Sequence, residues 1–221
     1  MPENVRKYWY HRYDLFSKYD EGVELTSNSW FGVTPEAVAV KIAQHIGDSV
    51  PPSKKFIIDA FAGAGGNAIA FALSGRWERV FAVEKDPEEL KCAKQNAKVY
   101  GVEKKISFVN GDCFNIIKNR YSHMREEAVI FASPPWGGPT YQAEDIFDLS
   151  KMEPYTLKKL HTSFSKYFSE MVFYLPRTSD LNQLAALVKD GDQIQAIHYC
   201  MTGFSKALCA YYGDFADIQK P

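Results

Sequence analysis

The sequence predicts an α/β protein with a mostly parallel sheet and helices on both of its faces. Short apolar runs alternate with helical segments through the middle of the chain, and two strand-like runs follow each other at its end with no helix between them. The 221 residues, 46% of them hydrophobic, suffice for one domain with a full core. The 24% charged residues and net charge of −1 exclude disordered and fibrous classes and a broadly basic nucleic-acid coat.

The first fifty residues are predicted to be helical. Val5 to Tyr19 places aromatic side chains at helical spacing. Thr34-Pro35-Glu36 predicts the start of a second helix, because threonine can cap a helix, proline suits its first position and glutamate favours the positive end of its dipole. We expect this helix to run to about Ile46, and Pro51-Pro52 marks a linker to the next unit.

Five parallel strands are expected in the rest of the chain. They are predicted at Phe56–Asp59, Val80–Glu84, Ile106–Val109, Ala128–Ala132 and Met171–Leu175. One helix is expected to follow the glycine turn and end at Leu73. A second is expected to run from Pro87 to about Tyr100, and a third to span Asp180–Val188. The runs Gln193–Cys200 and Lys206–Tyr212, separated by Thr202-Gly203, predict a hairpin that adds an antiparallel strand to the sheet.

Each of the first five strands ends in residues with useful chemistry. These are Asp59 with a glycine turn, Glu84, Asp112, Ser133-Pro134-Pro135-Trp136 and Pro176-Arg177. In an open α/β sheet, ligands bind beyond the carboxyl ends of the strands. Five such ends in succession indicate one nucleotide-like ligand and its substrate.

The glycine turn by itself leaves the ligand open. Gly63-Ala64-Gly65-Gly66-Asn67-Ala68 fits the dinucleotide pattern, and Glu84 stands near the place of a ribose-binding acid, so a dehydrogenase is an alternative. Asp59, however, would repel a pyrophosphate and suits a cationic ligand. Asp112 is placed to accept from an exocyclic amine. S-adenosylmethionine fits these residues better, with the loop at its methionine end, Glu84 at the ribose and Asp112 at the adenine.

The segment Ser133-Pro134-Pro135-Trp136 is the most informative element. Two prolines hold the backbone extended and remove two donors. The preceding carbonyls and the Ser133 hydroxyl can then accept hydrogen bonds from a substrate amine. Trp136 offers a ring face for stacking a base, best of all a positively charged one.

Neither a metal site nor a membrane span is indicated. The histidines are scattered along the chain, and no two cysteines form a Cys-x-x-Cys pair. The four cysteines are Cys92, Cys113, Cys200 and Cys209. The most apolar stretch, Phe56 to Leu73, contains Asp59 and a glycine cluster and is typical of a strand, a turn and a helix. We expect no metal and no membrane association.

The chain resembles the trimethylguanosine synthase family, which hypermethylates the 5′ cap of small nuclear and nucleolar RNAs. The matching stretches lie in order along nearly the whole chain. They include Tyr8-Trp9, Trp30-Phe31, Asp59-Ala60-Phe61, Gln95-Asn96-Ala97, Ser133 to Pro139 with Tyr141, Phe173 to Arg177 and Tyr211 to Asp214. The pairing of the proline–tryptophan motif with the amino-terminal segment is specific to this family, whereas the glycine loop is common among methyltransferases.

This resemblance implies a class I S-adenosylmethionine-dependent methyltransferase fold in residues 51–221, with a helical extension of residues 1–50 over the active site. It implies two methyl transfers to N2 of a guanine already methylated at N7, on the cap of a small RNA. It also implies a nuclear and chiefly nucleolar location, with the cytoplasm as a second one. RNA-associated protein complexes would recruit the enzyme.

The resemblance also assigns residues. Ser133 and Pro134 would face the N2 amine as catalytic residues, and Trp136 would stack on the base. The other cap-binding positions are Lys7, Asn96, Tyr141 and Arg177, with Asn96 at the base edge and the rest at the phosphates. The cofactor positions are Phe16, Thr34, Asp59, Glu84 and Asp112, to which the glycine turn adds Gly63 and Gly65.

Two other functions stay open at this stage besides the dehydrogenase. One is a methyltransferase that acts on an internal base amine of RNA or DNA, which would share the proline–tryptophan motif without depending on N7 methylation. The other is a non-catalytic cap-binding module. Binding a cap alone requires neither Glu84 nor Asp112, so these carboxylates favour an enzyme.

Overall fold

A computed structural model describes residues 5–137, 145–188 and 194–216, and in these residues seven strands form one sheet. The strands are β1 (Phe56–Asp59), β2 (Arg79–Glu84), β3 (Ile106–Asn110), β4 (Ala128–Ala132), β5 (Met171–Leu175), β6 (Ile194–Met201) and β7 (Phe204–Tyr212). Their order is β3-β2-β1-β4-β5-β7-β6. The first five strands run parallel, and β7 is antiparallel to both β5 and β6. The predicted fold class is confirmed.

Helices cover both faces of this sheet. They are α1 (Arg6–Tyr10), α2 (Arg12–Leu15), α3 (Ser29–Gly32), α4 (Glu36–Ser49), α5 (Gly66–Leu73), α6 (Pro87–Val99), α7 (Cys113–Ile116), α8 (Leu157–Phe164) and α9 (Leu181–Ala185). One face packs against α4, α5 and α6, and the other against α7, α8 and α9. Neighbouring strand residues divide between the two cores, as Ile57 and Ile58 do in β1. None of the helices in the described part of the chain is long and apolar enough to cross a lipid bilayer.

Most of the predicted elements lie where the sequence pattern placed them. The bounds of β1, β4 and β5 match, and the hairpin turns at Thr202-Gly203, both of which have positive φ. Helix α9 is shorter than predicted and ends at Ala185. Helix α8 was not predicted, although Leu157, Leu160 and Phe164 recur at helical spacing and are buried.

The prediction of one helix over Val5–Tyr19 was wrong. The segment forms α1, α2 and a 3₁₀ turn at Tyr19–Glu21. In a continuous helix, Trp9 and Tyr19 would lie about 15 Å apart along the axis. Here their ring centroids are 5.6 Å apart, and each ring packs on Trp30 of α3. The aromatic cluster bends the chain because contact among three large rings outweighs helix continuity in so short a segment.

The capping prediction for Thr34 was also wrong. Pro35 is the N-cap of α4, and no side chain caps this helix. The Thr34 hydroxyl instead accepts a hydrogen bond from Asn67 Nδ2 at 3.0 Å. Helix α4 extends three residues beyond the expected Ile46, and its buried face belongs to the same core as α5 and the sheet. The domain boundary at residue 50 stays a prediction.

Candidate active site

The glycine loop joins β1 to α5 at the carboxyl edge of the sheet. Gly63 and Gly65 have φ of +49° and +92°, a region that side-chain-bearing residues rarely adopt. A Cβ at Gly65 would lie 3.2 Å from Ala93 Cα, so glycine lets the loop pack directly on α6. A Cβ at Gly63 would meet no atom within 4 Å. Gly63 thus leaves its side of the loop open to a ligand.

Asp59 lies beneath this loop and is fully buried. The Phe61 amide donates to its Oδ1 at 3.3 Å, whereas Oδ2 has no hydrogen-bond partner among the described residues. Burial raises the pKa of Asp59 to about 7, and the nearby Glu84 carboxylate raises it further, while the amides of Phe61 and Ala68 oppose the shift. An orphaned buried carboxylate oxygen at a strand end is suited to a cationic ligand.

Glu84 ends β2 and is fixed by two backbone amides. Gly63 N–H donates to Oε2 at 2.8 Å, and Asp86 N–H donates to Oε1 at 2.9 Å. A carboxylate offers about four acceptor positions. Each oxygen therefore keeps a free acceptor position, and the contact of Glu84 with the ribose hydroxyls stays a prediction.

Asp112 follows β3 and caps α7, where its carboxylate accepts from Asn115 N–H at 3.1 Å. The cap fixes the carboxylate at the same edge of the sheet as Asp59 and Glu84, because β1, β2 and β3 are parallel neighbours. The three acidic strand ends that the sequence singled out are therefore brought together.

The proline–tryptophan segment is held from both sides. Ser133 Oγ donates to the Phe61 carbonyl at 3.4 Å, which links the end of β4 to the glycine loop. The Trp136 ring is half-buried and stacks on Tyr174 of β5, with centroids 5.6 Å apart and planes inclined by 29°. Its Nε1–H donates to the Tyr174 carbonyl at 3.3 Å. The plane of the indole ring is thereby fixed beside Ser133 and the buried Pro134.

Phe16 and Thr34 bring the amino-terminal segment to the start of α5. Both are buried. A Cβ at Gly66 would lie 3.4 Å from Val33 Cγ1, 3.6 Å from the Thr34 carbonyl and 4.0 Å from Phe16 Cζ. The two predicted cofactor residues thus lie beside the glycine loop, although no contact in the structure tests their role.

The structure does not support a base-edge contact for Asn96. Its side chain is fully buried, and its amide is already engaged. Oδ1 accepts from Glu24 N–H at 2.7 Å, and Nδ2 donates to the carbonyls of Glu24 and Ala64, both at 2.9 Å. Asn96 therefore joins the amino-terminal segment to the glycine loop, and a base could reach it only by displacing these bonds.

Replacing Asn96 with alanine is expected to lower the free energy of unfolding by about 2–4 kcal/mol, because the buried Ala64 carbonyl and the part-buried amide and carbonyl of Glu24 lose their partners. Urea denaturation measures this loss. The neighbouring Gln95→Ala is a matched control, since the half-buried Gln95 side chain makes one bond among the described residues, to the Gly22 carbonyl. Equal and small losses in both variants would contradict the assigned role of Asn96.

Three residues are predicted to contact the cap phosphates. Lys7 on α1 is exposed, and the exposed Arg177 after β5 donates through Nη1 to the Ser205 carbonyl at 3.4 Å. Tyr141 lies outside the described residues. The phosphate roles of all three stay predictions.

Sequence reasoning missed two carboxylates that fasten the amino-terminal segment, the buried Glu89 and the half-buried Glu36. Glu89 of α6 accepts hydrogen bonds from the hydroxyls of Thr26 and Ser29. Glu36 accepts from the backbone and hydroxyl of Ser17 at 2.6 and 2.8 Å, and from Tyr100 OH at 2.5 Å. Glu89 is the third residue of a helix capped by Asp86, a position at which acidic residues are common, so its sequence position conceals its tertiary role.

No group of three or more His, Cys, Asp or Glu side chains within residues 5–137, 145–188 and 194–216 could hold a metal ion. The four cysteines are free, and Cys200 is exposed while the other three are buried.

Comparison with known proteins identifies the family. A family model described as RNA cap guanine-N2 methyltransferase matches residues 54–215. The chain belongs to this family. It is similar to trimethylguanosine synthase of Schizosaccharomyces pombe, with 36% identity over 213 residues that span 96% of this chain and 87% of the relative. It is 38% identical over 215 residues to trimethylguanosine synthase of Saccharomyces cerevisiae, covering 94% and 67% of the two chains.

Solved structures show the same fold. The human methyltransferase 10 domain containing protein superimposes with a TM-score of 0.67 at 14% identity, covering 98% of this chain and 100% of that chain. An RNA methyltransferase from Salinibacter ruber, solved with S-adenosyl-L-homocysteine, gives a TM-score of 0.52 at 18% identity, over 85% and 97% of the two chains.

These comparisons confirm the predicted family, the class I methyltransferase fold and the cofactor. As an RNA cap guanine-N2 methyltransferase, the chain uses S-adenosylmethionine to methylate N2 of a cap guanine. The dehydrogenase and the non-catalytic binding module that the sequence left open are thereby excluded.

Proposed function

We propose that this enzyme acts on a cap guanine that already carries a methyl group at N7 and methylates N2 twice, which gives the 2,2,7-trimethylguanosine cap of small nuclear and nucleolar RNAs. The names of its two fungal relatives support the product. The observation that carries the N7 requirement is the Trp136 ring, fixed against Tyr174 beside Ser133 and Pro134.

Methylation at N7 gives the guanine ring a positive charge. A cation over the face of a tryptophan ring gains about 0.5–2 kcal/mol or more relative to a neutral partner. Because stacking on Tyr174 and the bond from Nε1 fix the plane of the Trp136 ring, little conformational entropy is lost when a base stacks on it. Trp136 therefore selects the N7-methylated base.

The residues at the strand ends fit S-adenosylmethionine. The orphaned Oδ2 of Asp59 suits its cationic end, the open side of Gly63 admits its methionine portion, and the remaining acceptor positions of Glu84 suit the ribose hydroxyls. Asp112 is placed for the adenine amine. When bound, the cofactor supplies an electrophilic methyl group on a sulfonium.

Ser133 and Pro134 prepare the nucleophile. The N2 lone pair of guanine is delocalised into the ring, so it must be aimed and partly localised. Ser133 Oγ, which donates to Phe61, keeps lone pairs that can accept one amine hydrogen, and the Pro134 carbonyl can accept the other. Both bonds strengthen as nitrogen becomes positive in the transition state.

Holding both reactants near the attack distance supplies most of the remaining acceleration. In favourable cases it lowers the activation barrier by up to about 7–11 kcal/mol. No general base is required, because the proton on the newly alkylated nitrogen is acidic and leaves to water. The first methylation leaves one hydrogen on N2, so a single acceptor suffices to orient the amine for the second.

We further propose that the enzyme works in the nucleus, chiefly the nucleolus, with the cytoplasm as a second location. Protein complexes associated with the RNA would recruit it. The relatives' names and the resemblance described above support these proposals.

Methyl transfer from labelled S-adenosylmethionine to two dinucleotide caps tests the proposal. One cap carries N7-methylguanosine and the other plain guanosine. We expect label only on the N7-methylated cap, with mass spectrometry showing two added methyl groups. Equal labelling of both caps would contradict charge recognition and favour a general base-amine methyltransferase. A single added methyl group at completion would contradict the two-step product.

A further inference from the structure

We propose that the tip of the β6–β7 hairpin, residues 200–206, binds the RNA chain next to its cap. The Phe204 ring stacks on the first base after the triphosphate bridge, and the Lys206 ammonium pairs with the phosphate that follows this base. The proposal rests on the placement of the cap base at Trp136. It adds a binding surface on the hairpin tip, where neither the sequence pattern nor the family resemblance assigned a functional residue.

The hairpin tip extends beyond the carboxyl edge of the sheet. Leu208 of β7 pairs with Leu175, the last residue of β5, and β7 begins four residues before Leu208, at Phe204. Each residue of an antiparallel strand advances the chain by about 3.4 Å, so the tip extends about 13 Å past the end of β5. It therefore lies at the edge at which the ends of the parallel strands form the candidate active site.

The hairpin tip is also the neighbour of the cap-binding residues along this edge. Trp136 stacks on Tyr174 of β5, and β7 is the next strand after β5, at the usual spacing of about 4.8 Å. Between them, Arg177 follows β5 and donates through Nη1 to the Ser205 carbonyl at 3.4 Å. The indole ring, the guanidinium and the tip thus follow one another in the order in which a capped RNA carries its methylated base, its triphosphate and its first nucleotide.

The Phe204 ring is exposed at the tip. It exposes 70% of its surface, the largest fraction among the large hydrophobic side chains of the described residues. Met201, its cross-strand partner, packs instead against the core on the side of α4. A base stacked on the exposed ring would remove apolar surface from water. Because every base has a π-face, such a contact suits RNAs of different sequence.

Positive charge surrounds this ring. The exposed Arg177 and Lys206 flank the tip, and the hairpin has no Asp or Glu from Ile194 to Tyr212. The strand register shifts between Tyr199 and Cys200, which leaves Lys206 as an extra residue that pairs with none of β6. Bulges of this kind are common at sheet rims and next to active sites, where they redirect a side chain. The tip is thus complementary to a phosphate backbone.

The tip is held in place before RNA binds. Tyr199, directly before it, is hydrogen-bonded through its hydroxyl to His45 Nδ1 of α4 at 2.8 Å and to the Tyr211 hydroxyl at 2.5 Å. Thr202 and Gly203 have φ of +52° and +81°, as in the tight turns that match the twist of a hairpin. A base that stacks on the tip therefore orders little of the chain.

Replacing Phe204 with alanine should weaken only ligands that carry a base after the triphosphate. We expect about a tenfold loss of affinity for the N7-methylated dinucleotide cap and for a short capped RNA. Binding of 7-methylguanosine triphosphate should change by less than about twofold. Lys206→Ala should weaken only the short capped RNA, and it should lower the slope of log affinity against log salt concentration by about 0.7.

Calorimetric titration of the full chain with these three ligands, in the presence of S-adenosylhomocysteine so that no methyl group is transferred, tests the proposal. Leu73→Ala is the matched control, because Leu73 is also an exposed apolar residue but ends α5 at the opposite edge of the sheet. Phe204→Trp retains a ring face and should keep the preference for the longer ligands.

Equal weakening of all three ligands by Phe204→Ala would overturn the proposal, since the substitution would then act through the fold of the cap site. Unchanged binding of all three would overturn it as well. A loss in Phe204→Trp as large as that in Phe204→Ala would exclude stacking, and an unchanged salt slope in Lys206→Ala would exclude the phosphate contact. All three ligands carry the N7-methylated base, so failure of N7 selectivity in the methyl-transfer assay is distinguishable from failure here.

Discussion

Replacing Trp136 with alanine is expected to lower kcat/KM for the N7-methylated cap by about 30- to 1000-fold. Stacking of a base on an aromatic side chain contributes about 1–3 kcal/mol, and the positive charge of the base adds about 0.5–2 kcal/mol. The two ranges together span about 1.5–5 kcal/mol, and the expected loss corresponds to their central part, about 2–4 kcal/mol, since each 1.4 kcal/mol is a factor of ten. Both KM and kcat should change, because the ring binds the base and also aims N2.

Trp136→Phe is the informative control for this change. Phenylalanine keeps a ring face but lacks the Nε1–H that donates to the Tyr174 carbonyl. We expect it to retain a preference for the N7-methylated cap with a smaller loss of kcat/KM. Labelled methyl transfer to the methylated and unmethylated caps measures both quantities. If Trp136→Ala still discriminated between the caps as the unaltered enzyme does, recognition of the N7 charge would have to lie elsewhere.

The two strands β4 and β5 could be predicted with their bounds because each is short, apolar and buried on both faces. Ala128–Ala132 and Met171–Leu175 are buried at every position, so hydrophobicity alone defines their bounds. The residues that follow the strands could be predicted as site residues because the carboxyl ends of parallel strands lie at one edge of the sheet. Local sequence therefore sufficed to assemble Asp59, Glu84 and Asp112.

The amino-terminal segment was not predictable in the same way. Its path is set by tertiary contacts, such as the bonds between Asn96 and Glu24, 72 residues apart in the chain, and the contact between the rings of Trp9 and Trp30. Periodicity reports only which face of a helix is apolar. Neither periodicity nor the family resemblance, which assigned Asn96 to the base edge, could show that its amide is engaged by backbone groups.

Asp59→Asn is expected to stabilise the fold near neutral pH while it weakens cofactor binding. Burial raises the pKa of Asp59 from 3.8 to about 7, so between these values the folded chain keeps a proton that the unfolded chain has lost. The unfolded state binds fewer protons in this window, and the free energy of unfolding therefore falls as pH rises through it. By pH 8 the free energy of unfolding has fallen by about 2–4 kcal/mol, and Asp59→Asn should not show this fall.

Binding of S-adenosylmethionine should show the opposite dependence on pH, because ionised Asp59 attracts a cation. In the unaltered enzyme, affinity should rise as pH increases through about 7 and then level off. In Asp59→Asn, affinity should be lower and should not follow this titration. Urea denaturation and calorimetry at pH 5 and pH 8 measure the two effects, with the exposed Asp48→Asn as the matched change elsewhere. A variant whose unfolding free energy kept the pH slope of the unaltered chain would show that Asp59 is ionised throughout, and the site would then hold a permanent buried negative charge.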